Sequence, residues 1–203
     1  MKVLELFAGS RSIWKVCDEL WYKCYSSDIN YFEWIHYVVN ILEFDITKLP
    51  FKPDVIRASP PCTWFSVAAL WHHWTGGKWA YIPKTDTARL WIALLEKTLS
   101  IIEELKPKYF FIENPRGMMR KQKCLDWILR HTVTYCQYWD TRMKPTDIRT
   151  NNTNWKPRPK CKNWDSCHIA APRGSKTGTQ GLKLAYERSI IPYQLCKEII
   201  LAS

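Results

Sequence analysis

Two positions in this sequence have the residue types and settings for covalent and proton chemistry. Cys62 lies in "ASPPCTWFS" (Ala58 to Ser66), directly behind two prolines. Each proline fixes φ and lacks an N–H, so the backbone leading to the thiol is stiff. A thiol on such a mount can be held in one attack position, provided that its thiolate is accessible. The plainer alternatives are a buried, inert cysteine and a metal ligand. Glu113 closes the otherwise apolar run "YFFIE" (Tyr109 to Glu113). A carboxylate there is costly unless it is paired or protonated, which suits a proton donor. The alternative is a pairing with a neighbouring Arg or Lys.

A second group of residues suits ligand binding. Gly9 follows "KVLELF" and precedes a helical segment, so a ligand could approach the backbone closely there. Asp28 closes the next strand, where an acid binds ribose hydroxyls in dinucleotide-type folds, or else serves as a turn or cap residue. Asp45 has two open readings, as the cap of "DITKL" or as acceptor for an adenine amino group.

The elements that must position these residues are legible as short apolar runs between turn signals. Strands are expected at Lys2–Phe7, Lys23–Asp28, a third ending near Glu43–Ile46, Asp54–Ser59 and Tyr109–Glu113. A helix is expected from Ser12 to Leu20. A longer one from Thr87 to Leu105 places Ala88, Trp91, Leu95, Thr98, Ile102 and Leu105 on one face, and Pro107 stops it. "IPYQLCKEIILA" begins a last amphipathic helix at Pro192. Strands alternating with helices imply an α/β fold with a mainly parallel sheet and helices on both faces. Ligands of such sheets gather beyond the carboxyl ends of the strands. Gly9, Asp28, Asp45, Cys62 and Glu113 all fall at or just past those ends.

Composition narrows the class. The 203 residues suit a single domain (1–203) with a real core, and 46% hydrophobic with 24% charged residues excludes a mostly disordered chain. The net charge of +11 favours a polyanionic partner, nucleic acid before membrane, over a surface merely kept soluble. No secretory leader is expected, because "MKVLELFAGS" reads as a first strand. Pro60-Pro61, His72-His73 and Gly76-Gly77 break the uncharged stretch around Cys62, so no membrane span is expected. A cytoplasmic setting, in a bacterial or phage-infected cell, and eight mostly reduced cysteines follow as expectations.

"LELFAG", "ASPPCTWFS" and "FFIENPRG", in this order, resemble the DNA (cytosine-5) methyltransferase family. The similarity continues through "SSDIN", "FDIT", "QYWDTRMKPTDI" and "ERSIIPYQL", and is closest to short, phage-type members. The resemblance implies a Rossmann-like fold that binds S-adenosylmethionine and acts on DNA by flipping out its target base. It implies that Cys62 attacks carbon 6 of cytosine and that Glu113 meets ring nitrogen 3 and the amino group. It assigns Phe7, Ala8, Gly9, Ser10, Asp28, Ile29, Asp45, Ile46, Ser189 and Ile190 to the cofactor. Pro61, Ser66, Asn114, Arg116, Arg142, Lys144 and Arg149 are assigned to the base or the DNA. The loop with Trp64, Trp71, His72, His73 and Trp74 resembles the family's mobile catalytic loop. An RNA cytosine methyltransferase and a non-catalytic DNA-binding protein of the same fold are the alternatives.

The chain also departs from the family pattern. Ser10-Arg11-Ser12 replaces x-Gly-Gly, Glu113-Asn114-Pro115 replaces Glu-Asn-Val, and Arg188 replaces an asparagine. Aligning Tyr138-Trp139 with the family's Tyr-Gly puts Arg142 to Thr146 on its Gln-x-Arg-x-Arg segment. Lys144 then supplies charge without the fork of an arginine. A short basic insertion, 151–186, stands where a target-recognition region is usual, and limited sequence readout is expected of it. A monomer is expected, with a partner protein as one route to targeting. Within the insertion, Cys161, Cys167 and His168 lack a fourth ligand and the usual spacing. They are therefore read as plain thiols beside a histidine, with no metal.

Overall fold

In the computed structural model, residues 1–65, 70–76, 81–170, 182 and 184–203 are described. The first half of the chain builds a parallel sheet. Strand β1 (Lys2–Leu6) is followed by helix α1 (Ser12–Glu19), then β2 (Lys23–Asp28), β3 (Tyr37–Val38) and β4 (Val55–Ala58). A short helix α2 (Leu70–His73) and a two-stranded ribbon, β5 (Trp74–Gly76) with β6 (Tyr81–Pro83), follow the Cys62 turn. Helix α3 (Asp86–Leu105) returns the chain to β7 (Tyr109–Pro115). Strands β8 (Leu129–Thr134) and β9 (Pro145–Thr150) complete the sheet, and α4 (Ala185–Ser189) and α5 (Tyr193–Leu201) end the chain.

The strand order is β3-β2-β1-β4-β7-β9-β8, with β9 antiparallel to both neighbours. The order reverses between β1 and β4, and such a switch point leaves a crevice beyond the carboxyl ends of those two strands. Phe7 to Ser10 leave β1 there, and Ser59 to Cys62 leave β4.

Alternation along the strands feeds two cores. Leu4, Leu6, Ile56, Ala58, Phe110 and Ile112 pack with Leu95, Ile101 and Ile102 of α3 on one face. Val3, Val55, Phe111 and Ile148 pack with Ile13 and Val16 of α1 and Leu195 and Ile199 of α5 on the other. The face foreseen for α3 is the buried one: Ala88, Leu95, Thr98, Ile102 and Leu105 are all buried, and Thr85 caps its first turn through Ala88 N. Lys106 ends it in the left-handed region at φ 45°, ahead of Pro107.

Two expectations are corrected. The third strand does not end near Glu43–Ile46; it is Tyr37–Val38, and 3₁₀ turns occupy Ile41–Glu43 and Ile46–Lys48. The chain beyond Arg116 carries two further strands, β9 inside the sheet and β8 at its edge, that the sequence did not announce.

On the α1 face, three charged residues lie across three neighbouring strands. Glu5 of β1 is opposite Arg57 of β4, and Arg57 in turn forms an ion pair with Glu113 of β7 at 3.6 Å. Glu5, with no solvent exposure, accepts the N–H groups of Ile13 and Trp14 at 3.0 Å each and so tethers the start of α1. Burial raises its pKa, and the Arg57 charge opposes that rise. Replacing it would strand two amide donors and leave Arg57 with one fewer counter-charge. Glu5→Ala is expected to lower unfolding stability by about 3 kcal/mol in urea titrations; an unchanged midpoint would refute this role.

Candidate active site

The Cys62 turn and the Glu113 strand are tied together by one buried contact. Asn114 Nδ2 donates to the Pro60 carbonyl at 2.8 Å, joining the end of β7 to the proline mount of the cysteine. Phe65 N donates back to the Cys62 carbonyl at 3.1 Å, closing a 3₁₀ turn over Thr63–Phe65. Gly117 supports this turn from beneath by close approach. A Cβ there would lie 2.1 Å from the Phe65 carbonyl oxygen, so no other residue fits without moving that backbone.

Glu113 is buried and held on both oxygens. Ser59 Oγ donates to Oε2 at 3.0 Å and Tyr135 Oη donates to Oε1 at 2.9 Å, with Arg57 behind. Burial and the adjacent Glu113 charge hold the Tyr135 phenol well above its usual pKa, so it stays a donor. Ser59, Arg57 and Tyr135 were not among the expected site residues. The arginine inside the apolar run "DVIRAS" was the one available signal.

Cys62 is solvent-accessible, yet the surrounding protein crowds its thiol. Desolvation pushes the thiol up, the Lys144 ammonium pulls it down, and Glu113 raises it again. Lys144 does not point outward to phosphate. Its Nζ donates to the Arg188 carbonyl at 2.6 Å and lies 4.9 Å from the Tyr135 ring centre. Burial lowers its own pKa, while Glu113 and Cys62 oppose that shift. Its backbone has φ 23°, a conformation that a non-glycine residue adopts at a cost.

A cavity of about 220 Å³ lies beside this site. It is lined by Phe7, Asp28, Ile29, Asn40, Pro61 and Trp91 among others. Phe7 takes a left-handed conformation, φ 59°, to leave β1. Asp28 acts as a turn residue: Oδ2 accepts Gly9 N at 3.0 Å and Oδ1 accepts Asn30 N at 2.9 Å. Its carboxylate still borders the cavity, so the ribose and turn readings coexist. The Trp91 indole Nε1 is buried without a partner. An aromatic wall, a carboxylate and an unpaired donor suit a flat heteroaromatic ligand carrying hydroxyls. A second cavity, about 520 Å³, is lined by Ser10, Ile190 and Asp140 but by neither Cys62 nor Glu113.

Several expected residues lie elsewhere. Asp45 accepts Thr47 N and Oγ1 at 2.9 and 2.7 Å, which makes it a cap, and neither it nor Ile46 lines the cavity. Asn40, by contrast, does line it. Ala8 is buried behind the turn, and Ser189 Oγ donates to the Tyr186 carbonyl. Arg142 and Arg149 are buried braces rather than surface contacts. Arg142 pairs with Asp140 and donates to the carbonyls of Glu187 and Ile190. Arg149 grips the carbonyls of Leu125 and Ile128. Arg116 remains exposed at the end of β7, and Ser66 lies outside the described residues.

Arg11 takes φ 54° where the family has glycine, and its guanidinium rests 3.5 Å from the Trp14 ring centre. In the loop after Cys62, Trp74 is buried against Phe65, while Trp71 is exposed. Cys161, Cys167 and His168 do not stand as separate side chains, since Cys136 joins them in one cluster.

Comparison with known proteins agrees with this layout. A DNA modification methyltransferase encoded in an E. coli prophage matches with TM-score 0.52 and 15% identity, covering 78% of this chain and 51% of that one. The Entamoeba histolytica methyltransferase EhMeth matches with TM-score 0.54 and 15% identity, over 80% and 57%. The chain thus spans little more than half the length of these solved structures. At this identity the likeness concerns the fold alone. The C-5 cytosine-specific DNA methylase family model matches residues 1–138, and the chain belongs to that family. A relative named as a DNA (cytosine-5)-methyltransferase, from frog virus 3 (isolate Goorha), is 34% identical over 173 residues, covering 82% of this chain and 78% of that protein.

Two outcomes test the geometry. Lys144→Met removes the charge that favours the Cys62 thiolate, so the thiol rises further. Alkylation of Cys62 by iodoacetamide at about pH 8 should then slow several-fold, with the rate–pH profile displaced upward and Lys144→Arg restoring it. Gly117→Ala must push the Phe65 carbonyl aside. It is expected to cost about 1–3 kcal/mol in urea unfolding and to alter Cys62 alkylation, whereas an unperturbed protein would show that the turn can yield freely.

Proposed function

We propose that this chain methylates carbon 5 of cytosine in DNA, with Cys62 as the nucleophile and Glu113 as the group that meets the base. The observation that carries this reading is the Asn114–Pro60 hydrogen bond, which couples the cysteine mount to the strand bearing the buried carboxylate. The family membership supplies the reaction class.

The chemistry follows from these groups. The Cys62 sulfur adds to carbon 6 of a base rotated out of the duplex, since that carbon is unreachable within the stack. The electron pair displaced from the ring moves toward nitrogen 3, where Glu113 in its protonated form stabilises it by donating a hydrogen bond or its proton. Ser59, Tyr135 and Arg57 hold the carboxylate in place during this step. Addition makes carbon 5 nucleophilic. S-Adenosylmethionine, when bound, supplies an electrophilic methyl group. Phe7, Asp28, Ile29, Asn40 and Trp91 are the residues that would hold it. Loss of the carbon 5 proton to water then re-forms the double bond and expels the Cys62 sulfur as thiolate. Lys144 favours the thiolate both as attacking and as leaving group.

DNA contact is assigned to the exposed Arg116 and to the basic insertion with Lys160 and Lys162. Arg142 and Arg149 act indirectly, by fixing backbone. Among the described residues, no helix is long and apolar enough to cross a membrane.

Nucleoside mass spectrometry of DNA and RNA from cells expressing the protein tests the proposal. 5-Methylcytosine is expected in DNA, absent with Cys62→Ala, and reduced about 10²–10³-fold in rate with Glu113→Gln in purified assays. Modified cytosine found only in RNA would overturn the DNA assignment, and none in either polymer would overturn the catalytic one.

A further inference from the structure

Cys136, Cys161, Cys167 and His168 converge although they come from three separate stretches of chain. Their ligand atoms all lie within 4.8 Å of one another. His168 Nδ1 is 3.8 Å from both the Cys161 and the Cys167 sulfur, and the Cys136 and Cys161 sulfurs are 3.1 Å apart. A tetrahedral zinc with ordinary bond lengths requires about 3.8 Å between sulfurs and about 3.6 Å from sulfur to nitrogen. The observed edges bracket those values.

We propose that these four side chains form a structural zinc site of the Cys₃His type. Cys136 is the ligand that the linear spacing of Cys161, Cys167 and His168 could not reveal, because it lies in the 3₁₀ turn Tyr135–Tyr138 that follows β8. With four protein ligands the coordination is closed, the mark of a structural rather than a catalytic zinc. The surroundings already hold the ligands in place. Cys161 N donates to Thr134 Oγ1 at 3.0 Å, and Gln137 Nε2 approaches the Cys167 sulfur at 3.4 Å, a donor of the kind that steadies metal-bound thiolates. A turn closed by Asp165 N to the Lys162 carbonyl, and by Lys162 N to Asp165 Oδ2, returns the chain from Cys161 toward Cys167. Ile169 N then docks on the Thr141 carbonyl.

The site has a clear mechanical task. From 151 to 170 the chain has neither helix nor strand among the described residues, and few of its side chains are buried. Such a segment cannot hold its shape through a core of its own, and a metal supplies the missing crosslink. The zinc would fasten the basic insertion to the turn whose first residue, Tyr135, donates to Glu113. A disulfide between Cys136 and Cys161 is the competing use of the same thiols.

The test uses the full chain, expressed with added zinc and purified under reducing conditions. Plasma mass spectrometry should find about one zinc per chain. Cys167→Ser combined with His168→Gln, at exposed and half-buried positions that the fold tolerates, should reduce zinc to below about a tenth of that value, while a Cys124→Ser control keeps it. Cobalt substitution should produce thiolate-to-cobalt charge-transfer absorption that the double variant loses. Chelation should make the 151–170 stretch more susceptible to limited proteolysis than the sheet. Zinc absent from the wild type, zinc retained at full level in the double variant, or a Cys136–Cys161 disulfide in the reduced preparation would each overturn the proposal.

Discussion

A carboxylate buried at the end of β7 governs how the rest of this molecule is arranged. An isolated charge in that place would cost several kcal/mol, so Glu113 demands partners from chain segments far apart in sequence. Ser59 comes from the exit of β4, Arg57 from within β4, and Tyr135 from the turn after β8. Satisfying one side chain therefore fixes the order of three strands. Arg57 in turn lies opposite Glu5, whose oxygens cap the start of α1. The polar line crosses a sheet face that is otherwise apolar. It determines which way α1 leaves the switch point, and so where Phe7 and Gly9 stand relative to Cys62.

The two halves of the site are thus consequences of one packing solution. Phe7 and Asp28 border the cavity from β1 and β2, Pro61 borders it from the Cys62 turn, and Trp91 closes it from α3. Pro61 belongs to both halves, since it lines the cavity and carries the thiol. A methyl donor in that cavity and a base at Cys62 would therefore share a wall. Three of the six non-glycine residues with positive φ among the described residues, Phe7, Arg11 and Lys144, belong to the segments around this region. Strain of this kind persists where surrounding contacts over-determine the backbone.

What the sequence disclosed follows the same physics. Apolar runs bounded by Pro, Gly and Asp announced β1, β4, β7 and α3, because those elements are stabilised by burying carbon. Strands β8 and β9, "LRHTVT" and "PTDIRT", were hidden because each buries one large apolar residue, Val133 or Ile148, among buried polar ones. Arg120 pairs with Asp147 at 2.9 Å, Thr132 donates to the same carboxylate at 2.7 Å, and Arg149 is consumed by backbone carbonyls. Hydrophobic periodicity has nothing to detect in such strands. The same blindness made Arg142 and Arg149 look like DNA contacts, for an arginine folded onto carbonyls and one reaching for phosphate are the same letter. Asp45 was ambiguous for a local reason, since capping and ligand binding both call for an acid at a strand exit. Trp139 is the converse case. Aligned with a family glycine, it takes φ 66°, a backbone region that favours glycine.

The segment from 151 to 170 is tied to the sheet at several points although it has neither helix nor strand among the described residues. Trp155 is buried edge-on against Phe111 and His131, inside the core behind β7. Arg158 joins Glu198 of α5 to the Gln137 carbonyl, and Asn152 Nδ2 reaches the Ala202 carbonyl near the end of the chain. The segment is therefore anchored at its start by the core behind β7 and further along by the cysteine cluster. Both anchors meet the turn at Tyr135–Tyr138, and Arg142 and Lys144 just beyond it clasp the carbonyls of Glu187, Arg188 and Ile190. Any displacement of the insertion would reach Glu113 through Tyr135 and Cys62 through Lys144. The 151–170 segment, the Tyr135–Tyr138 turn and the Arg142–Lys144 clasp are parts of one connected network.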